Sequence, residues 1–372
     1  MNILILSWRG PGHPNEGGAE LVTMEHAKAW VKAGHDVTVF TSSFDDAKKK
    51  ENINGVEIIR KGGQVFGVHI AAFFWYKFSK HKKFDLVIDQ FHGIPFFTPL
   101  YLKERKLAFI HEVAKEVWSL NPWPKPFNLL PKVVGSSLEP LIFKLMYKKI
   151  PFMTVSESTK KDLENWGIPR KSITVIHNGV SMPAYKKLPA KENKKTAMFL
   201  GAISEDKGIF DAIRAFGEVN RKDEDWQFWI VGKSTPDYVR KMKRLVKDVG
   251  IEAKVKFWGF VSNSKKFNLL SRAHFLVNPS IREGWGLVNI EANSVGTPVV
   301  GYAVAGIRDS VQDDKTGMLV KVGDYRSLAE SIIKLANDTK MYERIVAGAI
   351  KWGKRFSWDK STSESLQLIE SI

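Results

Sequence analysis

The chain has 372 residues with no cysteine, 44% hydrophobic and 26% charged residues, and a net charge of +17. That length exceeds one ordinary core, so two domains are expected. The lack of cysteine excludes disulfides, thiol nucleophiles and thiolate metal sites. The basic excess is spread over the chain, with 27 basic and 17 acidic side chains in residues 1–187 and 30 and 23 in the remainder. Such a field favours an anionic partner: nucleotide phosphates, nucleic acid or an anionic membrane face.

The N-terminus, Met1-Asn-Ile-Leu-Ile-Leu-Ser-Trp8, has no basic leader segment. The longest mostly apolar stretch, Phe66–Tyr76, falls short of the roughly 18–20 residues that span a bilayer. A cytoplasmic location without a membrane span is the expectation.

Residues 2–8 predict a strand, Arg9–Gly18 a glycine-rich loop, and Ala19–Ala33 a helix with Leu21, Met24, Ala27, Trp30 and Val31 at helical spacing. Gly34 ends that helix, and Asp36–Thr41 is the next strand. Strand, loop, helix, strand is a βαβ unit and implies a parallel sheet. The pattern returns later. Thr196–Leu200, Trp226–Val231, Lys254–Trp258, His274–Pro279 and Pro298–Tyr302 read as strands, with a loop at Gly201–Gly208, a helix at Ile209–Arg221 and a turn at Gly306. The expected fold is α/β, two Rossmann-like parallel-sheet domains facing a cleft, with ligands beyond the C-terminal strand ends. Pro, Lys and Ala between Ser181 and Asn193 mark the boundary. The domains are then 1–185 and 186–355, with a last helix at about 356–372 packing back on the first.

Glu283 and Glu291 bracket a glycine turn, Glu283-Gly-Trp-Gly-Leu-Val-Asn-Ile-Glu291. Gly284 and Gly286 let backbone approach a ligand closely. A helix starting near Leu287 points its free N–H groups into the turn, where a diphosphate would sit. Glu291 can accept from a pair of ribose hydroxyls. The plain alternative is two helix-surface glutamates beside a turn.

At this point the sequence resembles the family-4 retaining glycosyltransferases of the GT-B fold. Asn278-Pro-Ser-Ile-Arg-Glu-Gly-Trp-Gly-Leu-Val-Asn-Ile-Glu291 fits their Glu-x7-Glu signature throughout. Trp8–Glu20, Val155–Leu163, Val175–Val180, Gly201–Gly208, Asp314–Val320 and Phe356–Trp358 resemble further family segments. The resemblance implies transfer of a sugar from a UDP-, GDP- or ADP-sugar to a sugar, polyprenyl-linked or lipid acceptor, in surface-glycan or glycolipid synthesis, with no metal or other cofactor. It implies Glu283 and His111 beside the donor sugar, Glu291 on the ribose and Lys207 on the phosphates. Gly17, Gly18, Gly232, Lys233, Val261, Gly284, Trp285, Gly286, Leu287 and Val288 are the further donor contacts expected, and His92 is placed on the acceptor side.

One position departs from the family: its usual arginine after the first loop glycine is Ala202 here. Arg9 or Arg282 is expected to supply the missing phosphate contact. Asp223-Glu-Asp225 reads as a solvated loop, with no clustered ligands beside it. Gly232-Lys-Ser234 lacks the first glycine of a P-loop, since position 227 is glutamine.

Two stretches interleave aromatics with lysines, Phe73–Lys83 and Trp118–Lys149, the latter including Trp123, Phe127, Phe143, Lys144 and Tyr147. Either they lie in a headgroup layer at an anionic membrane, or they are core-facing helices with a solvated basic face. Two other readings are a nucleotide-sugar epimerase, which needs no second substrate, and a nucleic-acid-binding protein, which needs clustered Lys/Arg and a recognition fold. A nicotinamide-dependent dehydrogenase lacks its glycine fingerprint. No nucleic-acid partner is expected.

Overall fold

The computed structural model describes residues 1–64, 66–91, 94–114, 129–183 and 187–372. They form two compact units, Met1–Asn178 with Trp358–Ile372, and Gly179–Ser357. The crossing at Asn178 lies ahead of the 185/186 boundary expected from composition. Ile176–Gly179 joins the last strand of one unit to the start of the next without regular secondary structure, and no break in composition marks it.

The N-terminal unit is built on β1 (Asn2–Ser7), α1 (Gly18–Lys32), β2 (Asp36–Thr41), β3 (Lys50–Ile53), β4 (Val56–Arg60), α2 (Phe66–Phe78), β5 (Leu86–Phe91), α3 (Thr98–Tyr101), β6 (Arg105–Ile110), α4 (Leu129–Ile142) running into a π-helical turn (Phe143–Tyr147), β7 (Phe152–Thr154), α5 (Glu157–Asn165) and β8 (Ile173–Val175). The strand order is β3-β4-β2-β1-β5-β6-β7-β8, parallel except for the β3–β4 hairpin. Alternation of buried and exposed positions is absent from β1: Ile3, Leu4, Ile5 and Leu6 are all buried, because helices cover both faces.

The C-terminal unit follows with β9 (Lys195–Leu200), α6 (Ile209–Lys222), β10 (Trp226–Val231), α7 (Pro236–Asp248), β11 (Val255–Gly259), α8 (Asn263–Arg272), β12 (Phe275–Asn278), α9 (Leu287–Ser294), β13 (Val299–Tyr302), α10 (Ala305–Ser310), β14 (Gly317–Val320), α11 (Tyr325–Asn337) and α12 (Thr339–Gly353). Its six strands are ordered β11-β10-β9-β12-β13-β14, and every neighbouring pair is parallel. Met198, Phe199, Phe228, Ile230, Leu276 and Val299 are buried in its core. The chain then returns to the first unit as α13 (Trp358–Ser371), where Ser365 Oγ lies 2.8 Å from His26 Nδ1 and accepts from Trp30 Nε1 at 3.1 Å, both on α1.

Chain order decides where each sheet can bind. In the N-terminal sheet the connections diverge between β1 and β5, and in the C-terminal sheet between β9 and β12. Loops leaving the C-terminal ends of such a pair turn away from each other and leave a crevice at the switch point. The loop after β9 holds Lys207, and the loop after β12 holds Glu283. No helix among the described residues is long and apolar enough to cross a membrane.

Candidate active site

In the C-terminal unit, the loop after β9 and the loop after β12 are locked together by backbone. Ile281 N–H donates to Asp206 O at 2.9 Å. Gly208 stands at φ +71, and a Cβ there would fall 2.0 Å from Pro279 O, so only glycine fits. Across this junction Lys207 Nζ lies 2.6 Å from Glu283 Oε2. Both side chains are partly exposed, so the pair faces solvent at the strand ends.

Gly286, at φ +78, is the N-cap of α9. A Cβ there would strike Asn289 Nδ2 at 2.5 Å. Asn289 is fully buried, accepts from Asn278 Nδ2 at 2.8 Å and donates to Ser310 Oγ at 2.9 Å. This polar bridge ties β12, α9 and α10 together beneath the turn. Gly306 N–H donates to Glu283 O at 3.0 Å. The sequence placed a turn at Gly306; it lies inside α10 instead, and its lack of a side chain serves a close approach, since a Cβ would sit 2.4 Å from Glu283 O. Glu283 is therefore held from below by its carbonyl and from the side by Lys207.

Glu291 is buried, 6% exposed, on the first turns of α9. Lys266 Nζ on α8 sits 2.5 Å from its Oε1. Burial pushes the Glu291 carboxyl above its ordinary value, and the Lys266 ammonium pulls it back. The plain alternative of two surface glutamates thus fails: one is buried against a lysine, the other is fastened to a neighbouring loop. Lys266 escaped sequence reasoning. Ser262 caps α8 by accepting from Lys265 N at 3.3 Å, and the following Lys265-Lys266 looks like any solvated first turn.

Apart from Gly17 and Gly18, which belong to the N-terminal unit, the remaining expected donor positions lie in the same unit. Trp285 is buried, with its ring 5.1 Å from that of Phe356. Arg282 is buried beside Glu283. Gly232, at φ +155, presses on the loop after β9, where a Cβ would lie 1.7 Å from Gly201 O, and Ile203 N–H donates to Lys233 O at 3.0 Å. Val261 follows the end of β11, and Leu287 and Val288 open α9. These residues all stand at C-terminal strand ends or helix starts of one sheet. Asp223 closes α6, accepting from Asp225 N (2.9 Å), Trp226 Nε1 (3.1 Å) and Lys195 Nζ (2.6 Å), bonds that hold its carboxyl below the usual range, the lysine first. Among the described residues no group of three His, Asp or Glu side chains is placed to hold a metal ion.

In the N-terminal unit, His111 directly follows β6 and is buried. Its Nε2 lies 3.1 Å from the Gln90 amide, which also donates to Thr23 Oγ1 on α1 at 2.5 Å. The glycine loop before α1 is organised by Glu20, a residue given no role from sequence. Its carboxylate accepts from Gly17 N at 2.6 Å and from Arg9 Nε at 2.9 Å. Arg9 also donates to Asn15 O at 2.6 Å. Gly18 is the first residue of α1. His92, Trp118, Trp123 and Phe127 lie outside the described residues.

Comparison with known proteins agrees with this geometry. Residues 183–352 match the family described as glycosyl transferases group 1, and residues 16–182 match glycosyltransferase family 4. An uncharacterised glycosyltransferase of Methanocaldococcus jannaschii is 24% identical over 99% of this chain and 97% of its own. N-acetyl-alpha-D-glucosaminyl L-malate synthase of Bacillus anthracis is 25% identical over 90% and 88%. Phosphatidyl-myo-inositol mannosyltransferase of Mycobacterium leprae is 28% identical over about half of each chain, 53% and 53%. The sucrose-phosphate synthase of Thermosynechococcus elongatus superposes with a TM-score of 0.80 at 19% identity over 100% and 98% of the chains, and Anabaena HepE, solved with UDP and glucose, with 0.76 at 19% over the whole of both. The two parallel sheets are those of the GT-B architecture, the paired family matches run from residue 16 to 352, and the chain belongs to the group 1, family 4 glycosyltransferases, enzymes of sugar transfer.

Proposed function

We propose that the chain is a retaining glycosyltransferase that moves a hexose from a nucleoside diphosphate sugar to a sugar or lipid-linked acceptor in surface-glycan or glycolipid synthesis. The observation that carries this reading is the Lys207–Glu283 pair at the switch point of the C-terminal sheet, with the buried Glu291 on the helix that follows. In transfer, the acceptor hydroxyl oxygen bonds to the anomeric carbon. The bond from that carbon to the diphosphate breaks, and the hydroxyl proton leaves to the diphosphate or to water. Negative charge grows on the departing diphosphate, and it is met by Lys207, by Arg282 and by the N–H groups of Leu287 and Val288, which have no carbonyl of their own helix to bond. This assignment calls on no metal ion.

Lys207 and Glu283 neutralise each other without ligand. A phosphate drawing Lys207 away would free Glu283 for the sugar hydroxyls. Glu291 accepts from the ribose, sharing its oxygens with Lys266. His111, held by the Gln90 amide, is the candidate site residue of the N-terminal unit. A uridine donor is the first to test, since the Anabaena relative was solved with UDP and glucose. The name of the M. leprae relative, a phosphatidyl-myo-inositol mannosyltransferase, favours a lipid acceptor.

A thermal-shift panel of UDP, GDP, ADP and their sugars tests the reading. A ligand at a hundred times its Kd stabilises the folded state by about 2.7 kcal/mol. One base is expected to shift the melting temperature and the others not. No shift with any nucleotide overturns the proposal.

A further inference from the structure

The segments following β4, β5 and β6 cover one face of the N-terminal sheet. Leu4, Leu6 and Val87 pack with Val68, Ala72 and Trp75 of α2. Two residues along β5 from Val87, on the same face, Asp89 accepts from Thr98 Oγ1 of α3 at 2.7 Å and from Tyr147 Oη of the π-helical turn at 2.6 Å. Phe91, again two residues on, packs with Phe143 and Tyr147. The rings of Phe73 and Tyr101, 5.1 Å apart, join α2 to α3. Thus α2, α3 and the π-helical turn form one layer.

The outer side of that layer is apolar. Phe66, Ile70, Phe74 and Phe78, spaced by four along α2, are 63%, 59%, 54% and 75% exposed. That spacing makes one ridge, opposite the buried Val68, Ala72 and Trp75. Leu100 of α3 and Leu145 of the π-helical turn are 72% and 71% exposed. Residues 62–84 contain four lysines and no acidic residue, and residues 140–156 contain three lysines and none. Lys77, Lys80 and Lys83 are exposed beside the ridge, as are Lys144, Lys148 and Lys149 beside Leu145.

An exposed row of large apolar side chains marks a contact surface. The lysines, with no acid among them, select an anionic partner. Rings and aliphatic tips that protrude while lysine stems reach around them fit the headgroup layer of a bilayer, where the apolar face sinks about 5–10 Å and the ammonium groups meet phosphates. The geometry points to this face as a docking surface for an anionic lipid bilayer, with α2, about 20 Å long, lying in the headgroup plane. The surface uses only the N-terminal unit and none of the donor residues, so this inference and the proposed reaction fail separately.

Flotation of the full chain with vesicles of phosphatidylcholine, alone or mixed with phosphatidylglycerol, tests it. Flotation is expected with the mixed vesicles at low salt, and much less at high salt or without phosphatidylglycerol. The double variant F74S/F78S should lower the partition coefficient by about tenfold or more, because two rings leave the interface. K77E/K80E should lower it by at least about tenfold through charge. Unchanged melting temperature and nucleotide shift show that both variants remain folded. Absence of flotation at low salt, or equal flotation of F74S/F78S and the unaltered chain, overturns the proposal. So does a dimer in sedimentation velocity that F74S/F78S abolishes, since the ridge would then belong to a second copy.

Discussion

Replacing Lys266 by methionine keeps much of the side chain and removes the cation 2.5 Å from Glu291. Glu291 is 6% exposed, so water offers little compensation. A buried carboxylate stripped of its partner costs about 3–5 kcal/mol. The carboxyl can escape by taking up a proton. At pH 8 that route costs at most about 5 kcal/mol, at 1.36 kcal/mol for each pH unit above the ordinary carboxyl pKa. The loss at pH 8 is therefore about 3–5 kcal/mol, roughly 6–20 °C in melting temperature for a unit of this size. The sign follows from linkage. With burial raising the folded pKa above the unfolded value of 4.5, the folded state holds more protons. The variant therefore recovers as pH falls towards 4.5 and weakens as pH rises through the raised pKa. Thermal unfolding of the unaltered chain, K266M and K266M/E291Q across this range is the assay. The glutamine should restore most of the stability at pH 8 and remove the pH dependence of the deficit. A deficit that is constant with pH, or that E291Q does not rescue, would refute the reasoning.

Lys207→Met should lower donor turnover about 10²–10³-fold, as loss of one charge-stabilising donor does elsewhere; unaltered kinetics would remove Lys207 from the phosphates. Arg282→Ala and Arg9→Ala test which arginine serves in place of the one absent at Ala202. A sharp rise in donor KM is expected in at least one, and Arg9→Ala should also lower the melting temperature because it leaves Glu20 buried without that partner. Gly208→Ala forces a side chain into φ +71 and against Pro279 O; a loss above about 2 kcal/mol is expected, and normal stability would contradict the close approach. His26, buried on α1 against Ser365 of α13, has its pKa lowered to about 3 by desolvation. Its contribution is complete above 6.5 and is lost at about 1.4 kcal/mol per pH unit as pH falls, so His26→Gln should flatten the acid limb of the stability curve by that amount.

Much of the framework was legible because local sequence periods dictate it. The helix expected at Ala19–Ala33 is Gly18–Lys32, and the strand expected at Trp226–Val231 has those bounds. Apolar runs buried on both faces, followed by glycine loops, point to parallel sheets under helices on either side. The β3–β4 hairpin was not legible: Lys-Glu-Asn-Ile has no alternation, and it forms by pairing with β4 at the sheet edge. Phe66–Tyr76 read as apolar, yet no period could say that the row at 66, 70, 74 and 78 faces solvent while 68, 72 and 75 face the sheet; both rows are apolar, and only packing chooses between them.

The glycine turn and its two glutamates follow from sequence alone, because turn chemistry and a helix start are local properties. Their partners do not. Lys207 is 76 residues from Glu283 and Lys266 is 25 from Glu291, and no spacing rule connects them. Strand order brings β9 beside β12, and with it Lys207 to Glu283; the packing of α8 on α9 brings Lys266 to a carboxylate buried deeply enough to need it. The sequence determined which groups are present and how each short segment bends. Tertiary structure decided which charges meet, how far each is removed from water, and so which glutamate is held by a lysine inside the protein and which faces solvent beside its own, since burial and Coulomb attraction depend on distances set by the fold.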